Sequence, residues 1–290
     1  MSSEYNIMMF IFEDNNKLFS PFFHDLNNIL KQNSNIPINV MYYSSHFFGS
    51  QFIHISKDRY VSQKIKDIQG KYRFVKPKIE EFYKKCYVKG KRNIFYYGGH
   101  ETTIFKDEKY GLNTNIFEKL DDLELMIFDS CYSSYSNLLS TIIGKTNYVI
   151  ACETSCPYVG FLSDEFINIL NSSATDVNKY KKIIDQFVKR SSSTNEIDRK
   201  LNYRTDGALI DMHKYIDVFE YIERTELVKN KKCRVEDLPD YHYYDLQCLV
   251  DDKQFDKLIK KCVVYHKMNA LAKDFFKKHN KHLHGIIIGW

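Results

Sequence analysis

Glycine and proline are scarce in this sequence: eleven and five, respectively, in 290 residues. Neither a Walker-type loop nor the glycine pattern of a dinucleotide site occurs, so nucleotide-cofactor chemistry is not expected, and Gly98-Gly99 alone does not make a phosphate site. No apolar run approaches the roughly 20 residues that a membrane helix needs, which argues against a membrane partner. The formal charge of +5 is dispersed along the chain. Nucleic acid is therefore not an expected partner either, and Lys231-Lys232 and Lys277-Lys278 read as solvated faces. The seven cysteines are odd in number and have no spacing that suggests a disulfide framework. With no signal peptide after Met1, this predicts a reducing, intracellular setting. Cys152 and Cys156 are not the tight pair of a zinc site, and no second pair follows. His279, His282 and His284 read as a solvated tail, and no metal site is expected.

Buried strands are present. Residues 93–97 and 124–129 are short apolar runs rich in branched and aromatic side chains. Each stops at chemistry-bearing residues: Gly98-Gly99-His100 after the first, Asp129-Ser130-Cys131 at the end of the second. If the two strands are parallel neighbours, His100 and Cys131 emerge at one carboxyl edge, where open α/β sheets build their sites. A cysteine facing a histidine there is a nucleophile beside its proton-transfer partner. Taken alone, Cys131 also fits a core cysteine, and His100 a loop-capping histidine. Asp129 suits either a pocket carboxylate or an aspartate satisfying loop N–H groups.

Strands are predicted at 5–12, 38–43, 93–97, 124–129, 147–152 and 208–212, with a last short one within 283–290. Apolar spacing predicts helices at 21–32, 77–88, 134–143, 163–171, 176–190 and 213–224, and a lysine-rich helix near 253–276. Residues 44–75 have no clear period beyond a minor hairpin. The β-α-β opening and the later alternation predict an α/β fold: a three-layer α/β/α sandwich with a mostly parallel central sheet of about six strands. One domain over 1–290 is expected, 225–290 being its C-terminal part. The cluster at Lys229-Asn230-Lys231-Lys232 marks an exposed break.

Several stretches, taken in order, resemble the clostripain-like cysteine peptidases, a caspase-fold family. Glu13-Asp14-Asn15-Asn16-Lys17-Leu18 is similar to the acidic turn after that family's first strand. Tyr97-Gly98-Gly99-His100 resembles its histidine loop and Asp129-Ser130-Cys131 its Asp-Ala-Cys motif. Ala151-Cys152-Glu153-Thr154, with Pro157 and Gly160-Phe161, resembles the loop after the next strand. Ala208-Leu209-Ile210-Asp211-Met212, Tyr244-Asp245-Leu246 and Gly285-Ile286-Ile287-Ile288 match weaker late patterns.

The resemblance implies a cysteine endopeptidase acting through Cys131 and His100. It implies an oxyanion hole from the backbone N–H groups of Glu101 and Cys131. Asp129 would line a pocket for a basic residue before the cleaved bond, with Gly99, Glu153 and Asp164 as further substrate contacts. Exposed, solvated acids are the competing reading of Glu153 and Asp164. The implied partner is a peptide or protein substrate. No cofactor is required; calcium enters by family resemblance only, because the sequence has no regularly spaced acidic loop. Glu101 departs from the family's glycine, and its charge would oppose an oxyanion. That departure motivates the alternative of an inactive, peptide-binding scaffold. The short stretch between His100 and Cys131 speaks against self-processing, and oligomeric state is left open.

Overall fold

The computed structural model of the chain describes residues 4–13, 29, 35–44, 49–57, 59–66, 75–99, 114–154, 156, 160–192, 204–238, 241–250, 252–279 and 281–289. At its centre are five parallel strands: β2 (Ile38–Ser44), β1 (Tyr5–Glu13), β5 (Arg92–Gly99), β6 (Leu123–Asp129) and β7 (Thr146–Ala151), in that spatial order. Antiparallel strands extend both sides. A hairpin of β3 (Gln51–Ser56) and β4 (Arg59–Lys64) continues from β2, while β8 (Asp206–Asp211) and β11 (Val263–Met268) continue from β7. The result is a nine-stranded sheet. A second, three-stranded sheet joins β9 (Arg234–Leu238), β10 (Tyr241–Asp245) and β12 (Ile287–Gly289).

Central strands are apolar on both faces because helices cover both. On β1, Met8, Phe10 and Phe12 enter one core, while Ile7, Met9 and Ile11 enter the other. The first core is closed by α1 (Val75–Cys86), α2 (Ser136–Thr141), α5 (Met212–Glu223), α6 (Lys253–Cys262) and α7 (Ala270–Lys278). The second is closed by α3 (Phe166–Asn171) and α4 (Asp176–Ser192). Helix α1 shows why such segments are helical. Val75, Ile79, Phe82 and Cys86 are its buried residues, and their spacing of three and four makes one stripe. The predicted helix at 21–32 lies outside the described residues except for Ile29, which is helical and buried.

The structure corrects three expectations. The main sheet has nine strands, not about six. The minor hairpin expected within 44–75 is β3–β4, but its bounds are not legible because Arg59–Lys64 is exposed throughout and shows no apolar alternation. The lysine-rich segment is not one helix. Helix α6 ends at Cys262, the Val263-Val264-Tyr265 run turns to strand β11, and Asn269 then caps α7 by accepting from Ala272 N. β-Branched and aromatic residues favour the pleated surface, and the Asn cap restarts the helix.

The third correction concerns the cysteines. Cys233 and Cys248 form a disulfide with a Cα–Cα distance of 5.3 Å and a sequence separation of 15. It ties the start of β9 to the helical turn after β10. Closing a loop of this length is worth about 3 kcal/mol in the chain-entropy account. The Cys233→Ser, Cys248→Ser double variant should melt lower by about 2–4 °C per kcal/mol lost. A melting temperature identical to the parent under non-reducing conditions would refute the cross-link.

Candidate active site

Strands β5 and β6 run parallel with Ile94 opposite Leu125 and Gly98 opposite Asp129. They therefore end on one rim, and β7 ends beside them. The side chains of Phe95, Tyr97, Met126 and Phe128, three aromatic and one a thioether, bury against one helical layer and fix this register. Gly99 closes β5 where no side chain fits. A Cβ there would lie 2.8 Å from the Tyr97 hydroxyl and 3.0 Å from the Phe12 carbonyl oxygen. The next two residues, His100 and Glu101, lie outside the described residues.

Beyond Asp129 the chain makes a turn bolted to the segment after β7. Tyr132 N donates to Thr154 O at 3.0 Å and Ser134 N to Cys152 O at 2.9 Å. Ser133 Oγ donates to Phe128 O at 3.2 Å and accepts from Cys152 N at 3.0 Å. Tyr132 holds a left-handed backbone, φ 52°, a conformation that costs a non-glycine residue and needs surrounding contacts to persist. Its ring stacks on Tyr243 at 4.6 Å, so the small sheet braces the turn.

Cys131 stands on this turn, half-buried. Its Sγ accepts the Cys156 N–H at 3.2 Å. The helix predicted over 134–143 would put its start beside the thiol and lower its pKa. Instead α2 begins at Ser136 with Tyr135 as its cap. A helix dipole fades beyond its first turn, so α2 does not act on the sulfur as predicted, whereas the backbone of Cys156 meets it with its N–H and, at 3.8 Å, its carbonyl oxygen. The neighbouring thiols are different in character. Burial raises Cys152 to about 11 and pushes Cys156 well above the ordinary thiol range. Both therefore stay protonated at neutral pH.

Asp129 is only 3% exposed. Cys156 Sγ donates to its Oδ1 at 2.8 Å, Phe161 N to its Oδ2 at 3.2 Å, and the Tyr96 hydroxyl also donates to Oδ2. Burial raises its pKa, opposed by the bonds from Cys156, Tyr96 and Phe161 and by the charge of Arg190. Asp129 thus ties the end of β6 to both ends of the 156–161 stretch.

Of the other predicted contacts, Asp164 is exposed in the turn before α3. Glu153 is fully buried, which corrects the solvated reading. Burial first, then the charges of Asp245 and Asp206, push its pKa well above the carboxylate range. Asp206, which the sequence did not single out, anchors the same loop. Its Oδ1 accepts from Glu153 N at 3.1 Å, Thr154 N at 2.9 Å and Thr154 Oγ1 at 2.7 Å, and His266 Nε2 lies 3.0 Å from Oδ2. An aspartate just ahead of the apolar run Ala208-Leu209-Ile210 was the available signal, but its partner loop is 52 residues away along the chain.

The α/β/α sandwich with its mostly parallel central sheet matches the fold of solved C11, or clostripain-type, cysteine proteases. Among solved structures, the chain is similar to a secreted C11 cysteine protease from Bacteroides thetaiotaomicron, "iotapain", with TM-score 0.71 and 13% identity over 99% of this chain and 94% of that one. An inactive zymogen C11 protease from Parabacteroides distasonis gives TM-score 0.71 and 13% identity over 100% of this chain and 92% of that one. A secreted C11 cysteine protease from B. thetaiotaomicron in complex with an irreversible peptide inhibitor gives TM-score 0.66 and 14% identity over 91% and 84% of the two chains. No family model matches the sequence, and no curated protein matches it. No helix among the described residues is long and apolar enough to cross a membrane.

Proposed function

We propose that the chain is a cysteine endopeptidase cleaving after Arg or Lys, with Cys131 as nucleophile and His100 as acid–base. One observation carries the reading. Cys131 is half-buried on the turn after β6, its sulfur facing a backbone N–H, on the rim where β5 ends one residue before His100. The likeness of the whole fold to cysteine proteases supports it.

In this mechanism the Cys131 thiolate attacks the scissile carbonyl carbon and its electron pair moves onto the oxygen. The N–H groups of Cys131 and Glu101 receive that oxyanion. The C–N bond then breaks as His100 protonates the departing amine, leaving a thioester on Cys131. Water, deprotonated by His100, attacks the thioester and releases the acid. The inhibitor complex of a similar fold supports a peptide as substrate. The Cys233–Cys248 bond and the description of a similar protein as secreted speak for an oxidising compartment rather than the reducing one predicted.

Asp129 supplies the preference for a basic residue. A buried carboxylate gains a charge-assisted hydrogen bond from a substrate guanidinium or ammonium, beyond what the neutral donors of Cys156, Tyr96 and Phe161 give it. The assay is hydrolysis of arginyl, lysyl and neutral reporter peptides, with labelling by a lysyl acyloxymethyl ketone. Wild type should hydrolyse the basic reporters and take the label on Cys131. Asp129→Asn should lower the basic-over-neutral ratio of kcat/KM about 10- to 100-fold, the worth of a charged hydrogen bond. An unchanged ratio would remove Asp129 from the pocket. No turnover and no labelling would favour the inactive scaffold that Glu101 suggests.

A further inference from the structure

Away from the cysteine, the loop after β7 meets strands β8 and β11 at a cluster the protease reading does not use. Glu153, Asp206 and His266 bring ligand-type atoms within 4.8 Å of one another. His266 Nε2 lies 3.0 Å from an Asp206 oxygen and 3.6 Å from Glu153 Oε2. Ligand atoms at about 2.0–2.1 Å from a tetrahedral ion sit about 3.3 Å from one another, between those two separations. Glu153 is 0% exposed, and neither of its carboxylate oxygens has a hydrogen bond of ordinary geometry, although the Gly285 backbone and the Asp245 side chain lie close enough to act on its carboxyl group. A buried carboxylate without a donor is costly, and a protein meets that cost with a proton or with a cation; the Asp206 and His266 atoms beside Glu153 suit a cation, which would displace the proton. The Asp206 side chain is likewise buried, and its other contacts hold it in place by three bonds from Glu153 and Thr154.

We propose that Glu153, Asp206 and His266 form a binding site for a divalent transition-metal ion of the zinc class. Two carboxylates neutralise a dication, and an imidazole nitrogen selects zinc-like ions over calcium, which takes oxygen ligands. The ion would join the β7 loop to β8 and β11. Because Thr154 O accepts from Tyr132 N and Cys156 N meets the Cys131 sulfur, the same loop reaches the nucleophile, so the site is a structural clamp on it. It holds the loop and takes no part in bond making.

The test uses the full chain with Cys131→Ala, which keeps zinc off the nucleophile. Equilibrium dialysis against zinc chloride should give one tight equivalent per chain, unaffected by millimolar calcium. Adding Glu153→Gln or His266→Asn should weaken that equivalent at least about tenfold. Zinc affinity unchanged by both substitutions, or no tight equivalent at all, overturns the proposal. Should either variant fail to fold, X-ray absorption of the zinc-loaded chain decides. A shell of oxygen and nitrogen near 2.0–2.1 Å with a single imidazole supports the site. A sulfur shell, or two or more imidazoles as from His279, His282 and His284, overturns it.

Discussion

Cys131→Ala is expected to lower kcat/KM on arginyl and lysyl reporters by at least about 10³-fold, since removing a nucleophile leaves only binding and the oxyanion site. Its fold should survive. Cys131 is half-buried, and the hydrogen bonds that shape its turn run through Tyr132, Ser133 and Ser134. Truncating one partly exposed thiol costs on the order of 1 kcal/mol or less, well inside the margin of a folded domain. Loss of activity with an unchanged melting temperature therefore assigns chemistry, not stability, to the sulfur. The other two cysteines of the rim serve as internal controls. Cys152 and Cys156 are held as thiols by burial, so Cys152→Ala should keep most of the activity. Equal rates for the parent and Cys131→Ala would end the thioester mechanism, whatever Cys152 does.

The legible part of this chain was the part written in local pattern. Residues 93–97 and 124–129 carry unbroken apolar runs because both faces of β5 and β6 are covered, and such runs mark buried strands from composition alone. Their shared rim then follows from parallel pairing. The edges were illegible for the opposite reason. Strand β4 is exposed along its length, so nothing selects its residues by periodicity. Strand β11 sits between two lysine-rich helices, and its half-buried residues blur into their pattern. The polar contacts of the site were hidden by distance along the chain. Asp206 and His266 meet Glu153 only after β8 and β11 have packed, and no local spacing encodes that. The resemblance to clostripain-like peptidases pointed at Glu153 but as a substrate contact; burial beside Asp206 gives it another setting.

Asp206→Ala is expected to cost more stability than any other single change at the rim. The substitution strips the acceptor from Glu153 N, Thr154 N and Thr154 Oγ1 together, and leaves the His266 ring without its 3.0 Å partner. Glu153 and Thr154 are buried, so water does not replace the acceptor their groups lose. Each buried group left unsatisfied costs about 1–3 kcal/mol. A loss of about 3–5 kcal/mol overall allows for local relaxation. Asp206→Asn keeps an oxygen where Oδ1 accepts, and should recover most of that loss. Urea unfolding with chelator present measures the fold alone, independent of any bound ion. The loop adds a second readout, because its far end puts the Cys156 N–H on the Cys131 sulfur. If Asp206 positions that loop, iodoacetamide should alkylate Cys131 at an altered rate in Asp206→Ala under conditions where the variant is still fully folded. An alkylation rate equal to the parent's, with stability lowered, would confine Asp206 to the packing of β7 against β8 and sever it from the nucleophile.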